Sequence, residues 1–240
     1  LTITGAGAAI NVLGADVTFG RSFGGPFGVV LDAATTVNVS NANTLLTFSN
    51  TVIISGTGSM TKTGEGTVLM GRYNTFSGGF TLEAGTVRTN YPGIFAMTEG
   101  PLGTGTVTLK GGNLQSVSES ARSYYNNIVL DGNIAFGAAT GNGSGTQTFS
   151  SGSGGTSTIL ASSSTLNTLA NVVWNQNVTT SGTEAYRITK TGAATLTLAG
   201  TNTNIAGFSV LGGVLEFGGV STMGGTVSDY VANYFELDGG

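Results

Sequence analysis

The side chains able to do acid–base work in this chain are its carboxylates. There is no His and no Cys among the 240 residues, which excludes an imidazole base, a thiolate nucleophile and any Cys or His metal site. Hydrolysis of a polysaccharide on a β scaffold needs two carboxylates roughly 5 to 9.5 Å apart on one wall. The 12 acids, from Asp16 to Asp238, are instead spread almost evenly along the chain, the pattern of solvated single charges. Five Asp are too few for repeated Asp-rich calcium loops. Lys62 and Lys190 could offer a different chemistry, an isopeptide crosslink to Asn. The stronger expectation is that each lysine lays its stem on apolar surface and keeps its amine in water. Trp174, Tyr124, Tyr125, Tyr186, Tyr230 and Tyr234 could stack on sugars, although rings in a β protein more often fill the core. Catalytic, metal and cofactor sites are therefore expected to be absent.

The elements that must position these residues are strands. Charged residues make up 8% of the chain, while 41 Gly, 38 Thr, 22 Ser and 19 Asn supply 120 of the 240 positions. Gly costs about 1 kcal/mol per helix position, and Thr, Ser and Asn bond their own backbone in competition with a helix. With 39% hydrophobic residues and a mean hydropathy of +0.21, the chain is still too apolar to stay unfolded. The net charge of −4 comes from scattered single charges, so neither nucleic acid nor a polybasic membrane contact is expected. No stretch approaches the roughly 18 apolar residues of a membrane span, and the chain opens at Leu1 with neither Met nor a basic-then-apolar pattern, so it is expected to be a mature or excised segment.

Internal repetition sets the architecture. Residues 61–88 (TKTGEGTVLMGRYNTFSGGFTLEAGTVR) align without a gap on residues 189–216 (TKTGAATLTLAGTNTNIAGFSVLGGVLE), and ten of the 28 positions are identical. These are Thr61, Lys62, Thr63, Gly64, Thr67, Asn74, Thr75, Gly79, Phe80 and Gly85, each with a twin in the second copy. Apolar residues alternate, as in Val68 and Met70, Val107 and Leu109, and Leu196 and Leu198, which puts them on one face of short strands closed by glycine turns. Imperfect copies, recurrent Thr and Asn, and few charges at strand positions favour a solenoid over a sandwich or barrel. At roughly 20 to 25 residues per coil, about ten coils are expected, rising about 50 Å. The expected organisation is one module over 1–137, a Gly/Ser-rich degenerate coil or linker over 138–155, and a second module over 156–240. Residues 91–100 and 117–125 break the rhythm, so Tyr91, Pro92, Arg122, Tyr124 and Tyr125 are candidate surface-contact loop residues.

The repeated motif resembles the autotransporter-associated β-strand repeat, also called the passenger-associated transport repeat. Residues 61–66, 74–79 and 85–87 match its usual form, and LGTGTVTLKGGNLQ at 102–115 is similar to the element that commonly follows it. The second copy departs where Asn204, Ile205 and Ala206 replace the aromatic-Ser-Gly step, so one turn there is expected to differ. The resemblance implies a right-handed parallel β-helix in a secreted bacterial surface protein, with no catalytic residue. A structural or adhesive role follows from it, with surface polysaccharide as a candidate partner and no membrane insertion by this segment. Joining FELDGG to LTITGAG restores an uninterrupted family element, so head-to-tail stacking of copies is expected, with Leu1 and Ile3 meeting Phe235 and Leu237. The rival expectation is that these residues belong to a longer array.

Overall fold

The computed structural model describes residues 1–21, 27–93, 96–181, 186–218, 221–223 and 235–237; for Asn204, 221–223 and 235–237 it describes the backbone alone. No helix occurs among the described residues. Short strands are joined by turns in which glycines such as Gly64, Gly85 and Gly112 hold φ near +75°, a conformation that costs other residues a steric clash.

The strands stack in parallel into ladders. One runs Ala8–Val12, Thr35–Val39, Met60–Thr63, Phe80–Leu82, Val107–Leu109, Ile128–Leu130, Ser157–Leu160, Asn177–Thr180 and on to Asn202. A second runs Val17–Phe19, Leu45–Phe48, Thr67–Met70, Thr86–Thr89, Asn113–Ser116, Ile134–Phe136, Ser164–Thr168, Tyr186–Thr191, then the later part of Asn202–Val210 and Phe235–Leu237. The third begins with Thr2–Ile3, Phe27–Leu31 and Val52–Ser55. It resumes with Arg122–Tyr124, Gln147–Phe149, Val172–Trp174, Thr195–Leu198 and Val214–Phe217. Visiting the ladders in cyclic order makes a parallel β-helix, right-handed as parallel crossovers almost always are. The coils are unequal in length: a short one runs from Thr67 to its partner Thr86, and a long one from Ile134 to its partner Leu166.

Inward positions follow strand parity. Val37, Leu82, Leu109, Leu130 and Leu160 stand in register along the first ladder and are buried. Each such side chain contributes about 1.5–3 kcal/mol through burial. Residues 138–155 join the stack. Gln147–Phe149 pairs with Arg122–Tyr124 on one side and Val172–Trp174 on the other, and Gln147 and Phe149 are both fully buried.

The third ladder is interrupted between Val52–Ser55 and Arg122–Tyr124, where the described residues make two detours, one at 71–79 and one at 90–93 and 96–106. Backbone bonds carry the stacking through them: Thr75 N and Phe76 N donate to Ile54 O, Thr104 N donates to Phe76 O, and Asn74 and Gly100 exchange bonds. Phe76 and Leu102 seal the core from these detours. Asn74 ties both neighbours together, its Oδ1 accepting from Ile54 N at 2.8 Å and its Nδ2 donating to Pro101 O at 2.8 Å.

Candidate functional site

The residues with chemical potential sort into interior cations, scattered carboxylates and one surface cluster. Lys62 takes an inward place in an otherwise aliphatic column, between Val37 and Leu82, and Lys190 does the same between Leu166 and Val210. Both are 0% exposed, so the expectation of a wet amine is corrected. Each ammonium reaches the corner where its coil turns. Lys62 Nζ donates to Thr63 O and Gly64 O at 2.7 Å and to Ala84 O of the next coil at 3.1 Å. Lys190 Nζ donates to Thr191 O at 2.9 Å and to Gly192 O and Gly212 O at 2.7 Å. Burial pushes both ammonium groups down to about 8, and the Glu65 carboxylate pulls Lys62 part of the way back. Every one of these acceptors is a backbone carbonyl, and none is an Asn side chain, as a crosslink would require.

Arg122 and Tyr124 also correct an expectation. They were anticipated on a surface loop, but they belong to the strand Arg122–Tyr124 and both are buried. Positions 122 and 124 share parity, and both point inward. The Arg122 guanidinium donates from Nε to Thr89 O at 3.0 Å and from Nη1 to Ala121 O at 2.8 Å, and burial lowers its affinity for the proton. The Tyr124 hydroxyl bonds Thr89 Oγ1 at 2.8 Å and donates to Gln147 Oε1 at 3.3 Å, while burial raises its phenol. Its ring stacks on Phe149 at 5.2 Å, and Phe149 stacks on Trp174 at 4.1 Å. Tyr124 and Trp174 are thus core rings with no free face for a sugar.

Tyr91, Pro92 and Tyr125 do lie at the surface, Tyr91 and Pro92 exposed and Tyr125 half-buried. Tyr91 meets Tyr73 edge to face at 6.2 Å, and the Arg72 guanidinium lies 4.6 Å over the Tyr73 ring. Arg72 anchors this pair, donating from Nη2 to the Tyr73 hydroxyl at 2.7 Å and from Nη1 to Asn50 O at 3.2 Å. Because the Tyr73 hydroxyl accepts, its own proton is left to donate. Tyr125 lines a shallow cleft with Gly93, Met97, Glu99 and Thr104; it measures about 200 Å³ including its open mouth, less than the roughly 300 Å³ at which small-molecule pockets begin. The cluster sits at the detours from the third ladder. Sequence reasoning missed Arg72 and Tyr73, although a signal existed: the second copy has Gly200 and Thr201 at those places.

The described carboxylates are all exposed or half-buried. Asp16 Oδ1 accepts from Leu45 N at 2.8 Å and Glu216 Oε2 from the Thr197 hydroxyl at 3.0 Å, both structural bonds at the surface. No group of three His, Cys, Asp or Glu able to hold a metal occurs among the described residues. Glu184, Asp229, Asp238, Tyr230 and Tyr234, and the side chain of Glu236, lie outside the described residues.

The residues expected to join copies end to end divide similarly. Leu1 is exposed and Thr2–Ile3 pairs with Val30 and Leu31, whereas Phe235–Leu237 pairs with Phe208–Val210 and its side chains lie outside the described residues.

The passenger-associated-transport-repeat family matches at residues 60–88 and 188–217, the two segments that carry the corner lysines. The chain carries this passenger repeat twice. Over an alignment of 120 positions that covers 46% of the chain, it is 34% identical to the adhesin BmaC autotransporter of Brucella suis biovar 1 (strain 1330). It spans 3% of the length of that protein. No solved structure matches. Each passenger repeat comprises two strands, the next two strands stacked on them, and the lysine-filled corner that joins the pairs.

Proposed function

We propose that this chain is part of the surface-exposed passenger of a bacterial autotransporter, an adhesive and non-catalytic β-helix. Its stacked coils hold the Arg72, Tyr73, Tyr91, Pro92 and Tyr125 cluster outward for contact with another surface. The observation that carries this reading is the duplicated passenger repeat built into a continuous parallel stack; the similarity to an autotransporter adhesin and the dispersed carboxylates support it. Display of the chain on a non-adherent bacterium tests it. Adhesion to host cells or to polysaccharide-coated surfaces should rise, and Tyr73→Ala with Tyr91→Ala should remove the gain while the strand signal in circular dichroism stays. Turnover of a polysaccharide panel, abolished by one Asp or Glu substitution, would overturn the non-catalytic reading.

Head-to-tail stacking of copies into a filament is a second mode. It rests on the unpaired N–H and C=O groups that a parallel ladder offers to a further coil, the means by which strands add to a sheet edge. Sedimentation at rising concentration tests it: Ile3→Lys should weaken assembly while leaving each copy folded, and a monomer at every concentration would sink it.

A further inference from the structure

The two passenger repeats build the same polar cage. In each, three carbonyl oxygens from two successive coils converge on one point, and the lysine ammonium sits there fully out of water. An ammonium has three N–H donors and no acceptor, so three carbonyls satisfy it completely. The corner is also close-packed: Gly85 and Gly213 hold φ at +72° and +67°, and a Cβ on either would run into carbonyl oxygens of the stacked turn, Gly64 O and Gly66 O or Gly192 O and Ala194 O, before it came within 2.7 Å of the lysine Nζ. A buried ion would ordinarily need a partner of opposite charge, yet the carboxylate that acts on Lys62, Glu65, is exposed, and the twin position in the second repeat is Ala193. The carbonyl dipoles supply negative potential instead, although less than water would, since burial still holds both ammonium groups near 8. The cage is also independent of its place in the helix. Lys62 turns the corner from the first ladder to the second, and Lys190 that from the second to the third.

We propose that each corner is a cation site in its own right, made by the stacked turns and selective for a primary ammonium, with the lysine as its tethered occupant. The site joins coils because its oxygens come from two of them, 22 residues apart for Lys62 and Ala84 and for Lys190 and Gly212. An occupied cage also withholds its lysine from amine chemistry. Of the three lysines in the chain, only the exposed Lys110 is then open to acylation or crosslinking.

Chemical rescue tests the site. Lys62→Ala removes the atoms of n-propylammonium, so that cation, added as its chloride, should raise the thermal midpoint of Lys62→Ala by several degrees and leave the parent chain unmoved. Tetramethylammonium chloride at equal ionic strength and neutral 1-propanol should not. Equal response to all three additives, or a Lys62→Met variant as stable as the parent, would overturn the proposal. The same pair of substitutions at Lys190 repeats the test on the other ladders. If the alanine variants do not fold, the parent chain still decides. Lysine Nζ–H correlation spectra at neutral pH should show two slowly exchanging ammonium groups, Lys62 and Lys190, coupled to backbone carbonyl carbons. Their acylation should run about 100-fold or more below that of Lys110, as opening of a packed region requires. Three lysines that exchange and react alike would refute the cage.

Discussion

The two passenger repeats align without a gap, yet the helix uses them on different sides. In the first, Met60–Thr63 and Thr67–Met70 lie on the first and second ladders; in the second, Tyr186–Thr191 and Thr195–Leu198 lie on the second and third. The stacking register survives the change, since Thr61 pairs with Thr81 as Thr189 pairs with Ser209, and Thr67 with Thr86 as Thr195 with Val214. What differs is the path between the stacked pairs. The first repeat leaves the coil at 71–79, buries Phe76 and presents Arg72 and Tyr73, whereas the second runs through the equivalent residues as the long strand Asn202–Val210. The passenger repeat is therefore a corner module whose shared parts fix local stacking, and its variable middle decides whether a coil is plain or carries a surface feature.

Four measurements would break or sharpen that contrast. The largest effect is expected in the detour of the first repeat, where Phe76→Ala should cost about 3–5 kcal/mol through lost burial and an unfilled cavity. Hydrogen exchange should then speed up around 71–79 and 100–104 and leave the second repeat protected; loss of protection at both would show that the modules are not independent. Next, Gly85→Ala and Gly213→Ala should each cost about 2–4 kcal/mol, because alanine is strained at positive φ and its Cβ meets the carbonyl oxygens of the stacked turn, Gly64 O and Gly66 O or Gly192 O and Ala194 O. The two losses should match. A large difference would mean that the corners are not equivalent.

Alkali should have a smaller effect of opposite sign. Both lysines are held near 8 against 10.5 for an ordinary lysine. Between those values the unfolded chain binds more protons than the folded one, so stability rises with pH across about 8 to 10.5 and the gain is complete above it. The increment is on the order of 1–3 kcal/mol per lysine after allowance for screening. Denaturant midpoints at pH 7.5 and 10.5 measure it, and the double variant Lys62→Met, Lys190→Met should lose the rise. The smallest effect belongs to the surface: Tyr91→Ala should change stability by less than about 1 kcal/mol while lowering adhesion. A larger loss of stability would make Tyr91 a structural residue of the detour.

Much of this was legible in the sequence for a definite reason. Period-two alternation assigns inward and outward side chains strand by strand, and the ungapped repeat implies stacking, because one coil cannot bury its apolar face alone. The altered middle of the second copy announced a changed turn at Asn204–Ala206. Arg122 and Tyr124 were misread because 117–125 breaks the rhythm of glycine-bounded alternation, and that break was weighed above their parity. Their register was written in the spacing, since Tyr124, Phe149 and Trp174 follow one another at equal intervals and stack in that order.

The chain by itself determined that strands form, which residues face inward, where glycines must turn the backbone and that no imidazole or thiol chemistry is available. Those properties depend on a residue and its immediate neighbours. Tertiary structure alone decided that Lys62 and Lys190 are buried, that one repeat sits a ladder further round than the other, and that Arg72, Tyr73 and Tyr91 meet. Each of these depends on groups brought together by the closing of a coil: the Ala84 carbonyl reaches Lys62 from the coil above, and Tyr91 reaches Tyr73 from the far side of a detour. Because the coil from Thr67 to Thr86 is so much shorter than that from Ile134 to Leu166, no fixed period in the sequence reveals such meetings.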